Sequence, residues 1–317
     1  MSLDSGRRAY VLTHLVGPVA VGDSVVVNTT AVDLGLGTGG WDVVHWNLSR
    51  SELSLPGGGH VMKVRYTSVQ VDAGVAEEAE GYAPPRSLAG VPVVVCPLHS
   101  HLAAVACAFA ATAPGRRLVH VMTDSAALPL ALSDLVADLR QRDLLAATVS
   151  AGQAFGGDHE AVNPLSGLDV AVSVAGADAV VVAPGPGIVG TGTRHGHGAV
   201  EGASLIDAAA RRHADVIVAL RWSDADTRAR HHGLSHHSAT VLELAREKAL
   251  VAVPRGEPHP AAGRHEVVDV DIPDVVALLR SAGLAVTSMS RTPAEDPRFH
   301  AYAAAAGVLA ASVASGG

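Results

Sequence analysis

Residues 91–122 read VPVVVCPLHSHLAAVACAFAATAPGRRLVHVM, and this stretch decides the fold. An apolar run of strand length at 91–96 is followed by the polar loop Pro97-Leu98-His99-Ser100-His101. An Ala-rich helical segment at 102–113 comes next, and then a second apolar run at 118–122. A strand with one wet face alternates apolar and polar residues. A strand covered on both faces reads as a continuous apolar run, as these do. Outward from here the pattern repeats, with strand-like runs at 146–149, 179–183, 215–220, 249–253 and 265–270. Helical segments fall between them at 127–139, 169–175, 200–212, 239–248 and 274–282. Strand, loop and helix recurring roughly every 25 to 35 residues predict a doubly wound, mostly parallel α/β sheet over 91–317. A last Ala-rich segment at 297–313 reads as a helix packed on the body or on a partner.

The same reading explains the composition. Of 317 residues 17% are charged and 48% hydrophobic, and 31 Asp plus Glu against 23 Lys plus Arg give a formal charge of −8. Mild acidity and 3% aromatics exclude a nucleic-acid binder, which needs basic stripes and stacking platforms. Two cysteines, Cys96 and Cys107, exclude a disulfide framework and fit a reducing compartment. Asp4, Arg7 and Arg8 precede any apolar stretch, so no secretory signal is expected. The most apolar region, 91–113, is interrupted by Pro97, His99, Ser100 and His101, which speaks against a membrane span of about 20 residues. The expectation is a soluble, cytoplasmic protein with neither nucleic acid nor membrane as partner.

Before residue 73 the pattern is β. Val25-Val26-Val27 follows the turn Gly22-Asp23-Ser24, Val43-Val44-His45-Trp46 follows a glycine run, and residues 62–66 alternate with period two. Residues 1–72 therefore predict a small N-terminal β domain, barrel-like or sandwich-like. Residues 73–90, with Glu77, Glu78, Glu80 and Pro84-Pro85, read as a linker. The glycine run at 34–40 reads as a turn or as a flap over the larger domain.

Parallel α/β sheets bind ligands at the carboxyl ends of their strands, so those loops are the ones to search for chemistry. His99 and Ser100 follow the first strand, His99 as a base and Ser100 as a helix cap or a ligand contact. Thr123 and Asp124 follow the second, suited to capping or to a sugar hydroxyl or metal. The third loop carries Gly156, Gly157, Asp158, Glu160 and Asn163. Its glycines let backbone N–H groups approach a ligand, and its paired carboxylates suit a divalent cation or acid–base work. A capped helix start is the competing reading.

The fourth loop, with Gly187, Gly190, Thr191, Gly192 and Thr193, suits an anion or an oxyanion but lacks the Lys-Ser/Thr ending of a P-loop. His195 and His197 there have the look of a metal pair or of solvent-exposed loop residues. The fifth loop holds Arg230, His231, His232, Ser235, His236 and His237, the densest titratable cluster in the chain. Its imidazoles suit proton transfer or a transition metal, while its arginines favour an anion. Ser235 reads also as the cap of a helix beginning near His236.

These segments together resemble a bacterial family known as domain of unknown function 3866. The likeness rests on Asn28-Thr29-Thr30-Ala31-Val32, Leu34-Gly35-Leu36-Gly37-Thr38-Gly39-Gly40, residues 59–67, Leu98-His99-Ser100 and Met122-Thr123-Asp124. It continues through residues 151–158 and 185–193 to Arg230-His231 and Gly233-Leu234-Ser235-His236-His237. His195 and His197 fall outside that pattern, which counts against them as ligands. The resemblance implies one shared architecture and brings no activity.

The residues thus predict a small-molecule site for an anionic metabolite where the strand-end loops meet. An enzyme of hydrolytic or group-transfer type is the first reading, with His99, Asp158, Glu160, His236 and His237 as the acid–base or metal-holding groups. A divalent metal is the cofactor this allows, without fixing one. A non-catalytic metabolite carrier or sensor and a homo-oligomeric scaffold are the rivals.

Overall fold

In a computed structural model that describes residues 1–36, 39–55 and 57–316, the chain forms two compact units, Met1–Gly74 and Val75–Gly317. The smaller is built on a sheet in which Asp42–Asn47 lies between Ala9–Tyr10, parallel to it, and Val25–Asn28, antiparallel. Arg7 clamps this sheet by donating to both carboxylate oxygens of Asp42, which is 2% exposed. A separate ribbon pairs Met62–Lys63 with Val71–Asp72. The strand expected over 62–66 stops after two residues because Val64 and Tyr66 take left-handed φ values of 51° and 58°. Gly37 and Thr38 of the glycine run lie outside the described residues.

The larger unit carries eight parallel strands: β1 (Pro92–Val95), β2 (Leu118–Thr123), β3 (Ala147–Ala151), β4 (His159–Ala161), β5 (Ala179–Pro184), β6 (Asp215–Val218), β7 (Leu250–Pro254) and β8 (Glu266–Val270). Their order in the sheet is β8-β7-β6-β1-β5-β2-β3-β4. Successive strand residues divide between two cores, as a period of two requires. Val94, Cys96, Val181 and Ile217 enter one, and Val93, Val95, Val180 and Val216 the other. Helices α1 (Leu102–Thr112), α2 (Asp134–Gln141), α6 (Val275–Ser281) and α7 (Pro297–Ser315) cover the first face. Helices α3 (Pro164–Ser173), α4 (Glu201–Arg211) and α5 (His236–Leu244) cover the second. The fold is the doubly wound α/β class that the apolar runs predict.

Local chemistry fixes the element boundaries. The second helix begins at Asp134, with Ser133 as cap accepting from the Val136 N–H, later than the 127 start read from the sequence. Pro129 sits in extended backbone instead of a first helical turn. The third begins at Pro164 behind Asn163, whose side chain accepts from Leu165 and Ser166 in a reciprocal capping box. Residues 159–161 pair with β3 and so extend the sheet rather than starting a helix. The segment expected to link the units is packed from Val75 onward: Leu88 is fully buried and its N–H donates to the Arg212 carbonyl at 2.7 Å. Helix α7 packs on the body, with Gly307 against the Val105 backbone of α1. Among the described residues no helix is long and apolar enough to cross a membrane.

Candidate functional site

The winding reverses at β1. The chain leaves β1 into α1 on one face, and leaves its neighbours β5 and β6 into α4 and α5 on the other. Divergence of these connections opens a crevice at the carboxyl ends of the strands. A cavity of about 410 Å³ lies there. Leu98, His99 and Ser100 after β1 line it, with Gly187, Gly190 and Thr191 after β5 and Arg221, Arg228, Arg230, His231 and His237 after β6. Thr287–Met289 reach it from beyond α6.

Charge in the cleft is one-sided. Arg221, Arg228 and Arg230 line it, and no carboxylate is among the described residues that do. Asp226 lies beside it, 2% exposed, accepting from Arg228 at 2.7 and 2.9 Å and from Arg221 at 3.3 Å. Arg291 stands 3.6 Å from the same carboxylate and bonds Asp296 at 3.1 Å. The Arg228 guanidinium holds the Asp226 carboxyl well below the usual range. Burial lowers Arg221 to about 10, and it stays protonated at neutral pH. Three guanidinium groups, of which Arg221 is buried and Arg228 and Arg291 are partly exposed, share the two carboxylates Asp226 and Asp296, which favours an anion.

Imidazoles form the other half of the wall. His237 is 4% exposed, and burial, reinforced by His197 and Arg221, pushes it down to about 2. His231, 2% exposed, falls to about 3 through burial and then Arg221 and Arg228. Both rings are therefore neutral at physiological pH. Ser235 caps α5, accepting from the His237 N–H at 3.2 Å, and its hydroxyl lies 2.8 Å from His231 Nδ1. The capping reading of Ser235 thus holds, and the cap also steadies a cleft histidine. His99 is fastened at both nitrogens. Its Nδ1 lies 2.9 Å from the Pro184 carbonyl and its Nε2 2.6 Å from Ser133 Oγ. A carbonyl only accepts, so Nδ1 carries the proton and the serine hydroxyl donates to Nε2.

The loop after β5 folds into a small hairpin. Thr191 N–H donates to the Gly196 carbonyl at 2.7 Å, Gly198 N–H to the Val189 carbonyl at 3.0 Å, and Gly190 bridges His197. Thr191 and Thr193 bond each other at 2.8 Å. The hairpin brings His197, 6% exposed, against the start of α5, where its ring stacks on that of His237 with centroids 4.0 Å apart. One ligand atom from each of His197, His236 and His237 lies within 4.8 Å of the others. His195 is exposed and outside this group. Sequence spacing pointed to His195 and His197 as a pair and then discounted both. The signal that separates them is the turn that bridges His197 to Gly190.

Of the remaining expected residues, all but Ser100 lie outside the cleft lining. Asp158 accepts from the Thr148 N–H at 2.8 Å and hydroxyl at 3.0 Å, and pairs with Arg140 at 3.2 Å. Glu160 accepts from the Gly156 N–H at 2.6 Å, and Gly157 N–H donates to Ser150 Oγ at 2.7 Å. The glycine N–H groups of that loop are thus spent internally, and Asn163 caps α3. Asp124 accepts from the Gln153 N–H at 2.8 Å, in space that a Cβ on Gly152 would fill. Thr123 donates to Glu201, whose carboxyl burial raises. Ser100 is no cap; its hydroxyl reaches Ser288 at 3.3 Å on the cleft wall. Gly192 and Thr193 sit on the exposed hairpin and are not among the cleft's lining.

A family model described as protein of unknown function (DUF3866) matches residues 8–307, nearly the whole chain. No curated protein and no solved structure matches it.

Proposed function

Because the chain belongs to this family of unknown function, which brings no activity with it, we propose a function from the cleft alone: binding of a small anionic metabolite, and its hydrolysis or group transfer. The observation that carries the reading is the lining itself, with Arg221, Arg228 and Arg230 facing the cavity and no carboxylate among its described residues. A phosphate or carboxylate is held by forked guanidinium donors. Gly187, Gly190 and Thr191 add a backbone that a ligand approaches closely. Uncharged imidazoles beside it supply lone pairs for a proton or a metal. Asp158 and Glu160 have no part in this version, since their oxygens serve Thr148, Arg140 and Gly156.

One observation favours a carrier over an enzyme: His99, the cleft histidine nearest β1, has both nitrogens committed to Pro184 and Ser133. The test is a calorimetric titration with inorganic phosphate, followed by a panel of phosphorylated and carboxylated metabolites at two salt concentrations. Saturable binding that weakens about tenfold or more in Arg230→Ala and with added salt is expected. Binding indifferent to both changes would overturn the anion cleft. Turnover of a bound ligand, followed by its proton spectrum, separates enzyme from carrier.

A further inference from the structure

We propose that His197, His236 and His237 form a binding site for one borderline transition-metal dication of the zinc type, beside the anion cleft. Two independent segments converge to make it. His197 comes from the hairpin after β5, and the other two occupy the first turn of α5. One ligand atom of each lies within 4.8 Å of the rest. A tetrahedral zinc with bonds of about 2.0–2.1 Å spaces its ligand atoms about 3.3 Å apart, so the set closes once the His197 and His237 rings, stacked here 15° from parallel, turn until both planes meet the ion.

The nitrogens themselves point to a metal. His197 Nδ1, His236 Nε2 and His237 Nδ1 are all buried and lack any hydrogen-bond partner. One orphaned ring nitrogen is ordinary frustration; one on each of three clustered rings calls for something that takes lone pairs.

His197 moreover has its tautomer set for ligation. Its Nε2–H donates to the Arg194 carbonyl at 3.0 Å, which fixes the tautomer and leaves the Nδ1 lone pair free. Ser235 fixes the turn that carries the other two through the His237 N–H. Gly190 lets the hairpin close, since a Cβ there would stand 3.0 Å from His197 Cβ and 3.4 Å from His237 Nε2.

The donor set selects the ion. Three imidazoles with neither carboxylate nor thiolate suit zinc, cobalt, nickel or copper, and offer little to magnesium or calcium. Three protein ligands also leave a coordination position for water or a ligand. His237 lines the cleft, so metal and anion would share a wall. The cleft arginines oppose a bare dication, and an anion bound among them offsets that repulsion. Metal and anion are therefore expected to strengthen each other's binding. That coupling rests on the anion-cleft reading; the site itself does not.

The test titrates Co²⁺ and then Zn²⁺ into the metal-free full-length chain, reading cobalt ligand-field absorption and heat. One equivalent of Co²⁺ with a four- or five-coordinate spectrum, displaced by Zn²⁺, is expected. Affinity should fall roughly 10- to 100-fold or more in His197→Ala and in His236→Ala, the half-buried member that folding tolerates best. His195→Ala, an exposed neighbour outside the cluster, should leave it unchanged. Circular dichroism identifies the variants that keep the fold. Failure to bind one equivalent, or equal affinity in folded His197→Ala, His236→Ala and His195→Ala, overturns the site. Phosphate titration of the metal-free protein keeps the two readings apart. Phosphate binding without metal binding sinks only the metal site, and metal binding without phosphate binding sinks only the anion cleft.

Discussion

Ser133 Oγ sits 2.6 Å from His99 Nε2 while accepting the Val136 N–H at 3.0 Å, so one hydroxyl both caps α2 and anchors a cleft histidine after β1. Replacing it removes a helix cap, at about 1 kcal/mol, and strands a buried imidazole nitrogen, at about 1–3 kcal/mol. Ser133→Ala should therefore lose about 2–4 kcal/mol in urea unfolding. Ser133→Thr, which keeps the hydroxyl, should recover most of it. Equal losses in the two variants would show that packing, and not the hydroxyl, holds this corner.

Asp158→Ala separates frame from site. The carboxylate binds Thr148 and Arg140 at a half-exposed position away from the cleft. We expect a stability loss of about 1 kcal/mol and phosphate affinity within twofold of the unaltered chain. A large drop in affinity would return Asp158 to the site that its motif suggested.

How much was legible follows from where each residue's partner lies. The parallel sheet was readable because burial on both faces leaves continuous apolar runs, a signal confined to each strand. Ser235 was readable as a cap because cap and helix adjoin in sequence. The carboxylates of the third loop misled, because Asp, Glu and Asn serve ligands and backbone alike. Asp158 finds its partners on β3 and α2, Glu160 turns back on Gly156, and Asn163 closes a capping box. His197 was obscure for the opposite reason: its partners come from another connection, and only the Gly190 bridge aims it at them.

Close helix contact gives a prediction against propensity. A Cβ on Gly307 of α7 would overlap the Val105 carbonyl of α1. Ala is a better helix former than Gly by about 1 kcal/mol, so an exposed site would gain from Gly307→Ala. Here the two backbones must separate, and a net loss of about 1–3 kcal/mol is expected in thermal or urea unfolding. A gain would mean that α7 shifts freely on α1.

Acid should destabilise the fold earlier than its carboxylates alone require. His101, His120 and His300 are at most 1% exposed, and burial lowers them to about 3, 3 and 4. His101 faces Arg221, His300 and Phe299. His120 faces His99 and donates to the Val181 carbonyl, and the Asp296 carboxylate near His300 does not offset burial. Above about pH 6.5 these rings are neutral folded and unfolded, and they contribute no pH dependence. As pH falls from 6.5 towards 4, only the unfolded chain takes up their protons, so stability drops by about 1.4 kcal/mol per pH unit for each. Urea midpoints should be flat from pH 8 to 7 and fall steeply by pH 5.5, less steeply in His300→Leu. Midpoints unchanged down to pH 5 would contradict neutral burial.

The sharpest test of the cleft's charge is Asp226→Asn. That carboxylate offsets Arg221, Arg228 and Arg291; it is buried, as is Arg221, while Arg228 and Arg291 are partly exposed. Asn keeps the shape and removes the charge, leaving Arg221 and Arg228 without a counterion while Arg291 keeps Asp296. Breaking a buried pair in this way typically costs about 3–5 kcal/mol, and partial exposure of Arg228 places the expected loss near the lower end, about 3. Arg221 and Arg228 also line the cleft, so the same change frees them for an anion. Phosphate should then raise the melting temperature of Asp226→Asn more than that of the unaltered chain, and bind it more tightly. Equal phosphate stabilisation of the two proteins would show that these arginines serve only the fold.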